Sequence, residues 1–182
     1  MSIELIQIFV IIIPPILYTA LTLWIRPPWK VIGISFIGGV VMGCLNLLGD
    51  MLAYSQGWWH YPFTTANHGP LTFYLGTVIF YGAGIMGLVG WWVRKRFGLR
   101  GGLILLIAFP LWGILRDFGG TALTDQGGTI IVWESGFAPV LADFLLWGCA
   151  GAAGFFIMLG LEKWIYKISN KGEEIAPTRP SS

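Results

Sequence analysis

The chain has 182 residues, 55% of them hydrophobic and only 11% charged, with 26 glycines and 10 tryptophans. Apolar, aromatic and glycine enrichment together mark a polytopic helical membrane protein, with length for one compact bundle and no separate soluble domain. A net charge of +2 gives nucleic-acid binding no support, and no phosphate-cradling glycine loop, nucleophile elbow, CxxC or HExxH pattern occurs, so no cofactor or metal is expected.

A membrane crossing takes about 20 mostly apolar residues to traverse roughly 30 Å of hydrocarbon. Five segments qualify, at about 5–25, 31–53, 70–93, 101–118 and 138–162, predicting an all-α bundle over 1–166 and a flexible cytoplasmic tail over 167–182. The first is too long for a signal-peptide core, has no basic leader and shows no convincing cleavage site, so it reads as a retained span. The connection Arg26-Pro-Pro-Trp29-Lys30 is a short turn, because paired prolines stop a helix and Trp29 suits an interface. The connection from Arg94 to Arg100 is short and basic. Cys44 and Cys149 both fall inside spans and read as small packing residues, not as a disulfide framework.

Ten of the eleven basic residues lie in the connections 26–30 and 94–100 and from Lys163 onward, all on one side of a five-span bundle. The positive-inside rule then places these and the C-terminus in the cytoplasm and the N-terminus outside. The loops at about 54–69 and 119–137 face outward and contain no Lys or Arg. Short loops and this charge bias suit a prokaryotic plasma (inner) membrane. A weak repeat is also visible. Asp50, Trp58, Trp59 and Gly69-Pro70 in the first half parallel Asp117, Trp133 and Ala138-Pro139 in the second, as a helix, a loop and a proline-opened helix.

Charge inside such spans is costly unless paired or functional, and an intramembrane ionisable group is a functional-site hypothesis by default. Gly39, Gly43, Asn46 and Asp50 line one stripe of the second helix, and Asp143, Trp147, Ala150 and Gly154 one stripe of the fifth. Trp112 and Arg116 share a face of the fourth, while Tyr74, Thr77, Tyr81 and Gly84 share one of the third. Small residues let each stripe pack inward and deliver a carboxyl toward the outer leaflet. Asp50, Arg116 and Asp143 are expected to meet in one outward-opening cavity. Arg116 either relieves a catalytic carboxyl or simply clasps two helices through Asp143 or Asp50. Asp117 and loop residue Glu134 complete the charged set, and Asp125 reads as a solvated loop residue. In the outer loop, Trp58 and Trp59 form either an interfacial belt or a lid over an apolar ligand. His60 reads as a proton donor or a partner for a buried carboxyl, because it and His68 lack the spacing of a zinc site.

The string from Asn46 through Asp50 to Gly57, Trp59 and Tyr61, followed by Pro70-Leu71, resembles the small-subunit type of membrane lycopene cyclase and the related carotenoid hydratases. That family carries an Asp near a helix end, a Gly-x-Trp-x-Tyr-like turn and a Pro-Leu-opened helix. Acidic residues follow its Pro-Leu, where this chain has Thr72-Phe73-Tyr74. The resemblance covers about 30 residues and implies a membrane enzyme that protonates an alkene of a polyisoprenoid.

The first functional reading is therefore an integral-membrane enzyme or binder for an apolar isoprenoid or lipid. A carboxylic acid, Asp143 or Asp50, would be the proton donor, biased by Arg116 with Asp117 and His60 nearby. Asn46, Trp58, Trp59, Tyr61, Tyr74, Trp112, Glu134 and Trp147 would line the ligand site. A small proton-coupled transporter working as a dimer, and a non-catalytic subunit of a larger membrane complex, are the alternatives. Homo-oligomerisation or a partner membrane subunit fits either.

Overall fold

The computed structural model describes residues 3–122 and 131–175 and is mostly helical. Asp125 and the end of the chain from 176 lie outside the described residues. Helix α1 (Ile3–Ile25) turns through the two prolines into α2 (Trp29–Ser55), which is followed by a two-residue strand β1 (Trp59–His60). Helix α3 (Leu71–Gly76) runs directly into a π-helical stretch (Thr77–Val89) and then into α4 (Gly90–Ala122). Strand β2 (Val132–Trp133) and α5 (Phe137–Ile175) complete the order, so the helix extends past 167, where the sequence predicts a flexible tail.

Four helical stretches are long and apolar enough to cross a membrane: Ile8–Ile25, Trp29–Ser55, Leu71–Phe118 and Phe137–Lys167. The third has 48 residues and would extend about 72 Å as a straight α-helix. It folds back instead. Gly98 has φ 68° and ψ −158°, a conformation open to glycine because it lacks Cβ. Beyond Gly98 the chain returns alongside its first half, so that the rings of Tyr81 and Phe109 stand 6.5 Å apart.

Helix α2 packs centrally, against the π-helical stretch on one side and α5 on the other. Both contacts are backbone-close. A Cβ on Gly82 would lie 2.5 Å from the Cα of Gly39, and one on Gly154 would lie 2.9 Å from the Gly38 carbonyl. Around these crossings Met42, Met86, Phe109, Trp147, Phe155 and Met158 form the main core. At the basic end, buried Glu162 accepts the Trp91 indole N–H at 2.9 Å and pairs with Arg94, with Lys95 3.5 Å away. In a membrane the compensation matters, since a lone charge there costs about 2.5–3.5 kcal/mol or more.

Helix α1 is different. It packs on α3 and the π-helical stretch and leaves Ile8, Ile11, Ile12, Ile16 and Leu23 exposed, an apolar surface suited to lipid. Pro14 and Pro15 lie inside it and carry no N–H, so the helical donors to the Val10 and Ile11 carbonyls are missing.

At the other end, β1 and β2 pair antiparallel, with Trp59 opposite Trp133 and His60 opposite Val132. The Glu134 N–H donates to the Trp58 carbonyl at 2.9 Å. The two loops read from the sequence as lying on one side do meet at one end of the bundle.

Gly154→Ala forces α2 and α5 apart and should cost about 1–3 kcal/mol, the range for overpacking a close contact. Gly160→Ala, with open space at its Cβ, should leave the thermal midpoint in mild detergent unchanged or raise it. Equal midpoints for the two variants would contradict the crossing.

Candidate functional site

Two polar groups sit at the end of the bundle capped by the paired loops. The first centres on Asp50, 6% exposed in the last turns of α2. Its Oδ1 accepts the Trp59 indole N–H at 3.1 Å, and its Oδ2 accepts the hydroxyls of Tyr61, at 2.7 Å, and of Tyr74. An indole N–H only donates, so Asp50 is an acceptor toward it in either protonation state. Glycine at 57, with φ 68°, turns the chain out of α2 and back, so that β1 lays its tryptophan over the carboxyl. The Gly69 N–H donates to the Tyr74 hydroxyl at 3.0 Å, tying the far end of the same loop to the cluster.

Tyr61 is 8% exposed and lies in the loop, outside the helices. Burial and the adjacent Asp50 carboxyl push its phenol well above its ordinary value. It therefore stays a donor across the neutral range.

The second group centres on α4. The Arg116 guanidinium pairs with Asp117 and lies over two rings, 4.5 Å from the centroid of Trp147 and 5.0 Å from that of Tyr81. Asp117 also accepts the Trp147 indole N–H at 2.8 Å and is 8% exposed. The sequence pointed to Asp143 or Asp50 as the partner of Arg116. The ring cage instead turns the guanidinium to its own neighbour, which Trp147 already holds in place. Asp117 is accordingly buried. Asp143, 2% exposed, is buried as well, and its Oδ2 has no partner among the described residues.

Between the two groups and α1 lies a cavity of about 700 Å³. Phe9, Val10, Ile13, Pro14 and Leu17 of α1, with Phe73 and Phe80, make its apolar wall. Asn46, Asp50, Tyr61, Tyr74, Thr77, Tyr81, Arg116 and Asp117 make a polar strip opposite. A second, shallower hollow of about 560 Å³ over the loops is lined by Tyr54, Trp59, His60, Tyr61 and Glu134 among others.

Of the residues singled out in the sequence, Asn46, Asp50, Tyr61, Tyr74, Arg116 and Asp117 reach the main cavity. Trp59 and Trp147 act on it from behind, through Asp50 and Asp117. Asp143 is buried and is not part of the lining. Trp112, expected on the cavity face with Arg116, is 56% exposed on the outside of α4, where Phe109, Gly113 and Asp117 form the buried face. Trp58 packs partly buried in the loop cluster with Ala53, Trp59 and Tyr61. His60 and Glu134 are exposed and line only the outer hollow. The contribution of α1 was not foreseen. Its only local signal is the Pro14-Pro15 pair, and a uniformly apolar helix shows no favoured face.

No protein-family model, no curated protein and no solved structure matches this chain.

Tyr61→Phe removes one of three donors to a buried carboxyl and should destabilise the protein by about 1.5–3 kcal/mol. Because the folded phenol titrates above its unfolded value of about 10, its share of stability is complete below that pH and is lost as pH rises through the folded value. Thermal midpoints of the wild type should therefore fall more steeply above about pH 10 than those of Tyr61→Phe. Parallel curves would show that Tyr61 is not buried against Asp50.

Proposed function

We propose that this is a multi-pass membrane protein that binds an apolar isoprenoid or lipid in the cavity between α1 and the polar strip. The chain crosses five times in this reading, with Leu71–Phe118 counted as two crossings that meet at Gly98 and with its basic end in the cytoplasm. The observation that carries it is the composition of the cavity wall: a continuous apolar side from a helix that otherwise faces lipid, against a strip of ordered polar groups. A largely apolar pocket with a few convergent polar groups is the usual form of a ligand site.

The same strip supports acid chemistry on the ligand. Asp117 faces the cavity as the ion-pair partner of Arg116, and Asp143, buried and outside the lining, keeps one oxygen without a partner among the described residues. Asp50, occupied by three donors, serves as a fixed acceptor that orders the loop, so the donor role that the sequence offered to Asp143 or Asp50 falls to Asp143. The isoprenoid class comes from the resemblance around Asp50, Trp59 and Tyr61.

Mass spectrometry of organic extracts from the protein purified in mild detergent tests the reading. One discrete apolar lipid should be enriched in the wild type and reduced at least about fivefold in Leu17→Trp, which fills the cavity from its lipid-facing wall without touching the core. Bulk phospholipid alone, equal in both proteins, would sink the proposal and favour a transporter or an assembly subunit.

A further inference from the structure

We infer that the cavity selects a neutral ligand bearing an oxygen at its polar end, and that Asn46 is the residue that selects it. The inference rests on the lipid-binding reading above and deepens it. Asn46 lies one turn before Asp50 on α2, is 8% exposed and lines the cavity. Its Nδ2 is buried without a partner, and its amide makes no hydrogen bond among the described residues. Half a turn about the terminal torsion exchanges nitrogen and oxygen, so the amide can offer either a donor or an acceptor to the cavity.

Apart from the Tyr81 hydroxyl, the other polar groups of the wall are engaged within the protein. Asp50 takes Trp59, Tyr61 and Tyr74, while Asp117 takes Arg116 and Trp147. The Tyr74 hydroxyl also accepts the Gly69 N–H, and the Thr77 hydroxyl donates to the Phe73 carbonyl at 3.3 Å. A phosphate or carboxylate head would meet two carboxyl groups against a single arginine, itself paired with Asp117, and no other cation lines the cavity among the described residues. A cationic head would find both carboxyl groups already supplied with donors. A pure hydrocarbon would leave the Asn46 amide buried and unpaired, which is the expensive case. A neutral hydroxyl, ether or carbonyl oxygen relieves the amide and disturbs nothing else.

The test is equilibrium competition on the full-length protein in mild detergent, ranking geranylgeraniol, geranylgeranyl diphosphate and phytane. The alcohol should bind at least about tenfold more tightly than the other two, the cost of one unpaired buried polar group. Asn46→Leu should bring the alcohol down to the level of the hydrocarbon and leave the hydrocarbon unchanged. If that variant does not fold, the wild-type ranking decides alone. Equal binding of alcohol and hydrocarbon, or a preference for the diphosphate, overturns the inference but not the cavity, as does failure of all three while extracts still hold a discrete lipid. An alcohol preference that survives in Asn46→Leu removes Asn46 from the role. Failure of all three with only bulk phospholipid in the extracts overturns the lipid-binding reading as well.

Discussion

A carboxyl group near the end of an apolar helix has to be given donors, and at Asp50 this requirement organises one whole end of the molecule. The three donors come from separate places: Trp59 from β1, Tyr61 from the loop and Tyr74 from α3. Satisfying one side chain of α2 therefore fixes the path of the chain from Gly57 to the start of the third helix. A buried carboxyl left without partners would cost about 1–3 kcal/mol or more, and three donors remove that cost. The cavity wall inherits its order from that arrangement, since Tyr61 and Tyr74 belong to both.

The second polar group follows a different rule. Arg116 is held by ring faces as much as by charge, between Tyr81 and Trp147, and Trp147 uses its indole N–H to hold the carboxyl that Arg116 meets. One tryptophan thus serves as both the platform for the cation and the donor to its anion. Lysine at 116 would supply the charge but neither the flat surface nor the fork that fits this cage.

Much of this was legible in the sequence. The apolar segments, the stripe Gly39-Gly43-Asn46-Asp50 and the stripe Asp143-Trp147-Ala150-Gly154 all follow from helical spacing, and both stripes are buried as that spacing requires. The gathering of charged groups at one end was legible too, because each sits near the same end of its own helix. Pairing within the group was not. Spacing along one helix cannot say that Arg116 turns to Asp117, a choice made by ring faces from two other elements. Trp112 shows the same limit. Four-residue spacing puts it near Arg116, but the inward side of α4 is set by the approach of Gly113 to Trp147, a contact with another helix. The apolar wall from α1 was hidden because a helix apolar all round carries no phase.

The reversal at Gly98 and the pairing of Trp59 with Trp133 fasten the chain at opposite ends of the bundle. The first is a covalent turn and the second a non-covalent stitch between segments far apart in the sequence. A backbone cut in the basic connection would leave the two fragments held by the strand pair and by the helix crossings between α2 and α5. The turn at Gly98 is therefore not the only tie between the halves that precede and follow it.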